Sequence, residues 1–149
     1  MKYLFINGSP NRSGNTASLA AALLTEKEYD TVQLPEIHVG PYGSHFADDA
    51  FPAVLQKMKE ADVLVVGSPV YWHNICGPVR TLLDRFYGPV DNGELAGKKL
   101  VFLFQGEAPE KWMLEAGEYT IKRWARLYKL EYLGMAVTKA DARKLSAKL

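Results

Sequence analysis

A single cysteine, Cys76, excludes a disulfide within this 149-residue chain and leaves too few thiolates for an iron–sulfur cluster of its own. Cysteine scarcity also fits a reducing compartment, so a cytoplasmic protein is expected. No apolar run approaches the ~20 residues that a membrane helix requires. The N-terminus enters a strand pattern after one lysine, so no signal peptide is expected. No basic stretch supports nucleic-acid binding. Lys plus Arg (18) nearly balance Asp plus Glu (17), for a net charge of +1. That balance disfavours an electron shuttle that docks through an acidic face. His38, His45 and His73 lack the spacing of metal ligands, so no metal is expected. Ser9 and Ser68 each precede proline and sit outside a G-x-S-x-G elbow, which excludes serine hydrolysis. Neither repeats nor low-complexity tracts occur. What remains is an ordinary globular composition, 48% hydrophobic and 23% charged, and one domain over residues 1–149 is expected.

The organising stretch is residues 62–86, DVLVVGSPVYWHNICGPVRTLLDRF. Val63, Leu64, Val65 and Val66 form an apolar, β-branched run suited to a strand buried on both faces of a parallel sheet. Gly67, Ser68 and Pro69 are expected to stop that strand, with an aromatic–polar loop over Val70–Asn74. Pro78 stands where a helix tolerates a missing N–H. Val79, Leu82, Leu83 and Phe86 then recur at i, i+3, i+4 and i+7, one apolar helical face. The loop therefore lies at the carboxyl end of a central strand, where open α/β sheets bind ligands.

The N-terminus repeats the pattern. Lys2–Ile6 reads as a buried strand, GSPNRSGNT follows over residues 8–16, and Ala17–Leu24 favour helix. A loop rich in glycine and hydroxyls that feeds a helix presents unpaired N–H groups and a positive dipole end, a combination suited to an anion. It is neither a P-loop, lacking the Lys-Ser/Thr, nor a dinucleotide fingerprint, lacking G-x-G-x-x-G. A phosphate held by hydroxyls and backbone fits it; plain turn and cap duty is the alternative.

Elsewhere, Tyr29–Leu34 reads as an edge strand ended by Pro35. Residues 35–48 form a long connection, either a lid in which Tyr42, His45 and Phe46 close over a ligand or an irregular connector. Phe51, Val54, Leu55 and Met58 mark a helix capped by Asp48 or Asp49. Leu100–Phe104 is a fourth buried strand, and Gln105–Pro109 a third loop on the ligand edge, where Gly106 allows close backbone approach. Residues 110–129 form a long helix with Met113, Ile121, Trp124 and Tyr128 toward the sheet, Leu130–Val137 a fifth strand. Thr138 and Asp141 have capping-box spacing before a short last helix. Cys76 precedes a helix start, which lowers a thiol pKa, but packing is the commoner role of a free cysteine. His73 is either a loop residue or a hydrogen-bonding group near the ligand.

The paired loops GSPNRSGNT and GSPVYWHNICGPVRTLLDRF resemble those of the flavodoxin-like NAD(P)H-dependent FMN reductases, which include NAD(P)H:quinone oxidoreductases. The resemblance implies an α/β three-layer sandwich, a five-stranded parallel sheet in order 2-1-3-4-5 with helices on both faces. It places FMN at the carboxyl edge between strands one and three, the switch point that the loops already indicate. Phosphate contacts then fall to Ser9, Arg12, Ser13, Asn15 and Thr16. The isoalloxazine falls to Pro69, Val70, Tyr71, Trp72 and Asn74, with Gln105 and Gly106. The implied reaction is ping-pong hydride transfer from NADPH or NADH to a quinone, free flavin or similar small acceptor. No catalytic residue is expected, because the flavin accepts hydride itself. A flavodoxin-like electron carrier or a non-enzymatic FMN-binding module is the alternative. Relatives with a cysteine cluster in the 35–48 region are set apart by its absence here. A homodimer is implied too, and the long helix gives an independent reason: Trp112 and Tyr119 fall on a different side from Trp124 and Tyr128.

Overall fold

Alternate residues of the three central strands feed two separate cores, which is why those strands read as unbroken apolar runs. A computed structural model describes residues 1–149. Its strands are β1 (Tyr3–Asn7), β2 (Tyr29–Gln33), β3 (Val63–Tyr71), β4 (Asn74–Ile75), β5 (Lys99–Gln105) and β6 (Glu131–Ala136). Its helices are α1 (Asn15–Leu23), α2 (Phe51–Glu60), α3 (Gly77–Arg85), α4 (Lys111–Leu127) and α5 (Lys139–Ser146). The order is β2-β1-β3-β5-β6, all parallel, and the two-residue β4 turns back antiparallel on the end of β3. With β4 set aside, this is the expected 2-1-3-4-5 order. Leu4, Ile6, Leu64, Val66, Phe102 and Phe104 pack on one face under α2, α3 and α4. Phe5, Val63, Val65, Val101 and Leu103 pack on the other under α1 and α5. No helix is long and apolar enough to cross a membrane.

Several local readings differ from the structure. Gly67-Ser68-Pro69 does not end β3: pairing with β5 continues through Gly67↔Leu103, Ser68↔Phe104 and Pro69↔Gln105. Position 67 takes glycine within the strand because a Cβ there would lie 2.6 Å from Thr16 Cγ2 and 2.8 Å from Phe5 Cε2. The N-cap position of α2 is Ala50 rather than Asp48 or Asp49, but Asp49 Oδ1 does accept the N–H of Phe51, the first residue of the helix, at 3.3 Å. Asp48 pairs with His38 at 2.8 Å, and Asp49 with Arg85. Residues 35–48 run down the flank of α3 rather than over the ligand edge. Gly40 accepts a hydrogen bond from Arg85 near the C-terminal end of α3. The Tyr42 ring meets Tyr87 edge-on at 5.7 Å. The connector reading is the one this geometry supports.

The remaining elements lie where the sequence put them, with small shifts. Met113, Ile121, Trp124 and Tyr128 of the long helix are buried. β6 carries a bulge, since Leu100 pairs Tyr132 but Val101 pairs Gly134. At the start of α5, Thr138 Oγ1 accepts the Asp141 N–H at 3.2 Å and Asp141 accepts the Thr138 N–H at 2.9 Å, a complete capping box.

Candidate functional site

Three loops meet at the carboxyl edge of β1, β3 and β5, and glycines let them touch. The Gly8 N–H donates to the Gly67 carbonyl at 2.8 Å. A Cβ at Gly8 would lie 2.5 Å from Val79 Cγ2 and 2.7 Å from Cys76 Sγ, so only glycine seats the first loop against α3. Asn7 and Gln33 hold that loop from below. Asn7 Oδ1 accepts the Ser9 N–H at 3.0 Å, its Nδ2 donates to Gln33 Oε1 at 2.9 Å, and Gln33 Nε2 donates to the Ser9 carbonyl at 2.6 Å. Farther along, Ser9 Oγ accepts the Asn11 N–H and Asn11 Oδ1 accepts that of Ser13. The loop is thus pre-shaped by its own side chains.

The loop delivers α1 without a cap. Gly14 stands at the N-cap and offers no side-chain acceptor. The N–H groups of Asn15, Thr16 and Ala17 find no acceptor in the protein. Three free donors at a positive dipole end form a seat for an anion. Asn15 and Thr16 open this turn, and Ser9 and Ser13 stand in the loop that leads into it. Arg12 does not join them: its guanidinium makes a two-pronged pair with Glu36, which holds that carboxyl below its usual range. Thr16 is fully buried, and its Oγ1 accepts from Gln105 Nε2 at 3.3 Å, tying the first loop to the third.

The second loop is a hairpin. Val70 pairs Ile75 and Tyr71 pairs Asn74, leaving Trp72 and His73 as its two central residues, at φ +46° and +66°. Two-residue hairpin turns of this hand normally take Asn and Gly. Bulky side chains in that region are strained by about 1–2 kcal/mol each. Beneath the hairpin, Ser68 Oγ accepts the Cys76 N–H at 2.9 Å and donates to the Pro69 carbonyl at 2.7 Å. Cys76 is buried at the start of α3, where burial pushes its thiol pKa up.

Between the second and third loops lies a cleft of about 310 Å³, walled by Val70, Trp72, Gly106, Pro109 and Met113. His73 and Glu107 are its only ionisable lining groups. A Cβ at Gly106 would come within 3.1 Å of that of Val70, a tight contact. Pro69 and Gln105 pair across the strands behind the cleft. Tyr71 is half exposed outside it, and Asn74 Oδ1 turns back to accept the Ile75 N–H at 2.8 Å. Sequence reasoning missed the scaffold roles of Asn7 and Gln33 and the wall formed by Pro109 and Met113. The polar ends of β1 and β2, next to an apolar run, were the available signal for the first pair.

The site thus offers anion donors at one end and a narrow, mostly apolar slot at the other. That donor set suits a phosphorylated planar ring such as FMN, whose phosphate and isoalloxazine have these two chemistries. No cluster of three or more His, Cys, Asp or Glu is gathered to hold a metal.

Comparison with known proteins agrees with this geometry. The sequence profile described as NADPH-dependent FMN reductase matches residues 1–115. An iron–sulfur flavoprotein of Archaeoglobus fulgidus is 36% identical over 98 residues, covering 57% of this chain and 48% of that one. The chain spans about half the length of the curated relatives it matches. Among solved structures, a Trp repressor binding protein from Bacillus subtilis superposes with a TM-score of 0.79 at 16% identity, over 97% of this chain and 98% of that one. A flavone reductase gives 0.79 at 20% identity, over 98% of this chain and 60% of the other. These two likenesses establish the flavodoxin-like fold.

Proposed function

The chain belongs to the NADPH-dependent FMN reductase family, and on that premise we propose that residues 1–149 form one FMN-binding domain that passes hydride from NADPH or NADH to a small acceptor such as a quinone or free flavin. The observation that carries this reading is the junction of three unpartnered N–H donors, on Asn15, Thr16 and Ala17, with an apolar slot on the same sheet edge. In this reading the donors hold the phosphate, helped by Ser9, Ser13 and Thr16. Val70 and Gly106 flank the ring with Pro69 and Gln105 behind it, whereas Tyr71 and Asn74 lie outside the cleft and Trp72 stands at its border. Arg12 reaches the phosphate only by leaving Glu36, so backbone and helix dipole carry most of the charge. When bound, the flavin supplies the hydride-accepting centre, so the chain needs no acid or base of its own. Its task is to orient the ring and to exclude water with Val70, Pro109 and Met113. Named relatives carry iron–sulfur clusters; with Cys76 alone, this chain would work without one. A reducing, cytoplasmic setting suits that chemistry.

The same reading includes a homodimer. Trp112 and Tyr119 of α4 are 50% and 66% exposed, whereas Trp124 and Tyr128 are buried. A groove of about 420 Å³ lined by Tyr42, Leu83, Tyr87 and Leu127 runs alongside, between α3 and α4. Apolar surface of this kind marks association sites.

Anaerobic reduction tests the function. The purified protein is expected to be yellow, or to take up FMN, and to bleach rapidly on addition of NADPH or NADH. A flavin reduced only by dithionite would make the protein an electron carrier. A colourless protein that ignores added FMN would overturn the reading.

A further inference from the structure

The hairpin that closes the cleft carries the wrong residues for its own stability. Both central positions have positive φ, where glycine or asparagine is at ease, yet they hold Trp72 and His73. Packing within the chain does not account for Trp72. The residue is 94% exposed and pairs with no other ring, although it borders the cleft. Its neighbour behaves differently. His73 meets Trp112 edge to face, with ring centroids 5.2 Å apart, and the Trp112 Nε1–H is fixed on Glu110 at 2.9 Å. One side of the hairpin is therefore anchored to α4, while the indole of Trp72 stands free at the mouth. The rest of the lining includes Gly106, Ala108 and Pro109, none of which carries a long side chain. Glu107 places negative charge in the lining of the cleft.

We propose that Trp72 is a specificity-determining residue for the electron acceptor, stacking on a planar, uncharged acceptor of two or more fused rings. This rests on the flavin-reductase reading and assigns Trp72 to the second ring to enter rather than to the cofactor. A flat π-surface favours a flat partner in offset stacking. The Glu107 carboxylate disfavours an anionic acceptor. The His73–Trp112 contact holds the strained turn in place so that the indole stays presented.

Trp72→Gly tests this, because glycine suits the positive φ and the turn keeps its fold. Equilibrium binding of 1,4-naphthoquinone to the oxidised, FMN-loaded protein is measured beside FMN affinity. Steady-state kcat/KM is measured for naphthoquinone and for ferricyanide, an acceptor with no ring to stack. The expected result is a naphthoquinone Kd about fivefold to tenfold weaker, and a naphthoquinone-to-ferricyanide preference reduced by a similar factor. Trp72→Tyr should restore most of both. A naphthoquinone Kd unchanged within twofold would overturn the proposal. So would a loss of FMN affinity with the acceptor preference intact, which would make Trp72 a cofactor residue. A wild-type protein that takes up no FMN would overturn the functional reading and this proposal together.

Discussion

Asp49 and Arg85 grip each other at two points, Nη1 to Oδ1 at 2.9 Å and Nη2 to Oδ2 at 2.6 Å, with both side chains about 15% exposed. Asp49 Oδ1 also accepts the N–H of Gly40 at 3.2 Å and of Phe51 at 3.3 Å, while the guanidinium lies 4.6 Å over the Phe51 ring. One ion pair thus pins the 35–50 connector, the start of α2 and the end of α3. The Arg85 hydrogen bonds, first among the causes, hold the Asp49 carboxyl at about 2, below its ordinary 3.8. The folded state therefore binds this proton less tightly than the unfolded chain. Its stabilisation is complete above about pH 4, declines as pH falls, and is gone below pH 2. Asp49→Asn should lower unfolding free energy by about 2 kcal/mol at pH 6. In urea titrations the gap from wild type should shrink toward pH 2; a gap independent of pH would show that the charge is not what matters.

Gly8 is predicted to be the least replaceable glycine of the site. Alanine there would meet Val79 and Cys76 at 2.5 and 2.7 Å, on packed elements that must move to admit it. Overpacking of this kind costs about 1–3 kcal/mol. Trimming the obstruction with Val79→Ala should make Gly8→Ala less damaging than it is in the wild-type background. A double-mutant cycle by denaturant unfolding reads this coupling; strict additivity would show that the clash is relieved elsewhere.

The parts of the fold legible in sequence were those fixed by periodicity over several residues. Val63–Val66 and Leu100–Phe104 are apolar throughout because both sheet faces are covered, and Val79, Leu82, Leu83 and Phe86 share one buried helix face. Thr138 and Asp141 declared their cap because its bonds are local. The misreadings involve partners distant in sequence. Gly67-Ser68-Pro69 resembles a strand stop by itself, and only the pairing with Leu103–Gln105 keeps it in the sheet. Asp49 does accept the Phe51 N–H, but most of its carboxylate's bonding goes to Arg85, 36 residues later, and to Gly40, which no local pattern shows. Arg12 resembles a phosphate ligand until Glu36 is folded beside it. The resemblance to a family brought the three loops to one edge; the scaffold beneath them, Asn7 with Gln33, is a tertiary contact that no local pattern announces.

Asn15 and Thr16 give the phosphate assignment a direct test. Each offers a free N–H at the first turn of α1, which substitution leaves in place, and a side chain beside it. Asn15→Ala and Thr16→Ala should each weaken FMN binding by about 1.5–3 kcal/mol if their side chains bond the phosphate, roughly tenfold to a hundredfold in Kd. Thr16→Ala also releases Gln105, so its melting temperature should fall while that of Asn15→Ala, an exposed position, holds. FMN titration that is unchanged in both variants would place the phosphate elsewhere.

Assembly supplies the last test. Trp112 and Tyr119 are seven residues apart on α4, two turns along one face, and that face is not the one that buries Met113, Ile121 and Trp124. Folding has used one side of the helix and left aromatic surface on another; Tyr87 and Leu127 are exposed as well. A two-fold axis along this face would bury the same residues of both copies at once, and isologous pairing is the commonest way for a chain to cover such surface. Light scattering at micromolar concentration should therefore give about twice the 16.6 kDa of one chain. Tyr119→Glu places a charge where the partner's apolar surface would lie, and should yield a folded monomer with wild-type circular dichroism. Because Tyr119 is 66% exposed, the substitution has little of the core to disturb. A wild-type mass near 16.6 kDa would retire the dimer, and a variant that still dimerises would move the interface off this face of α4.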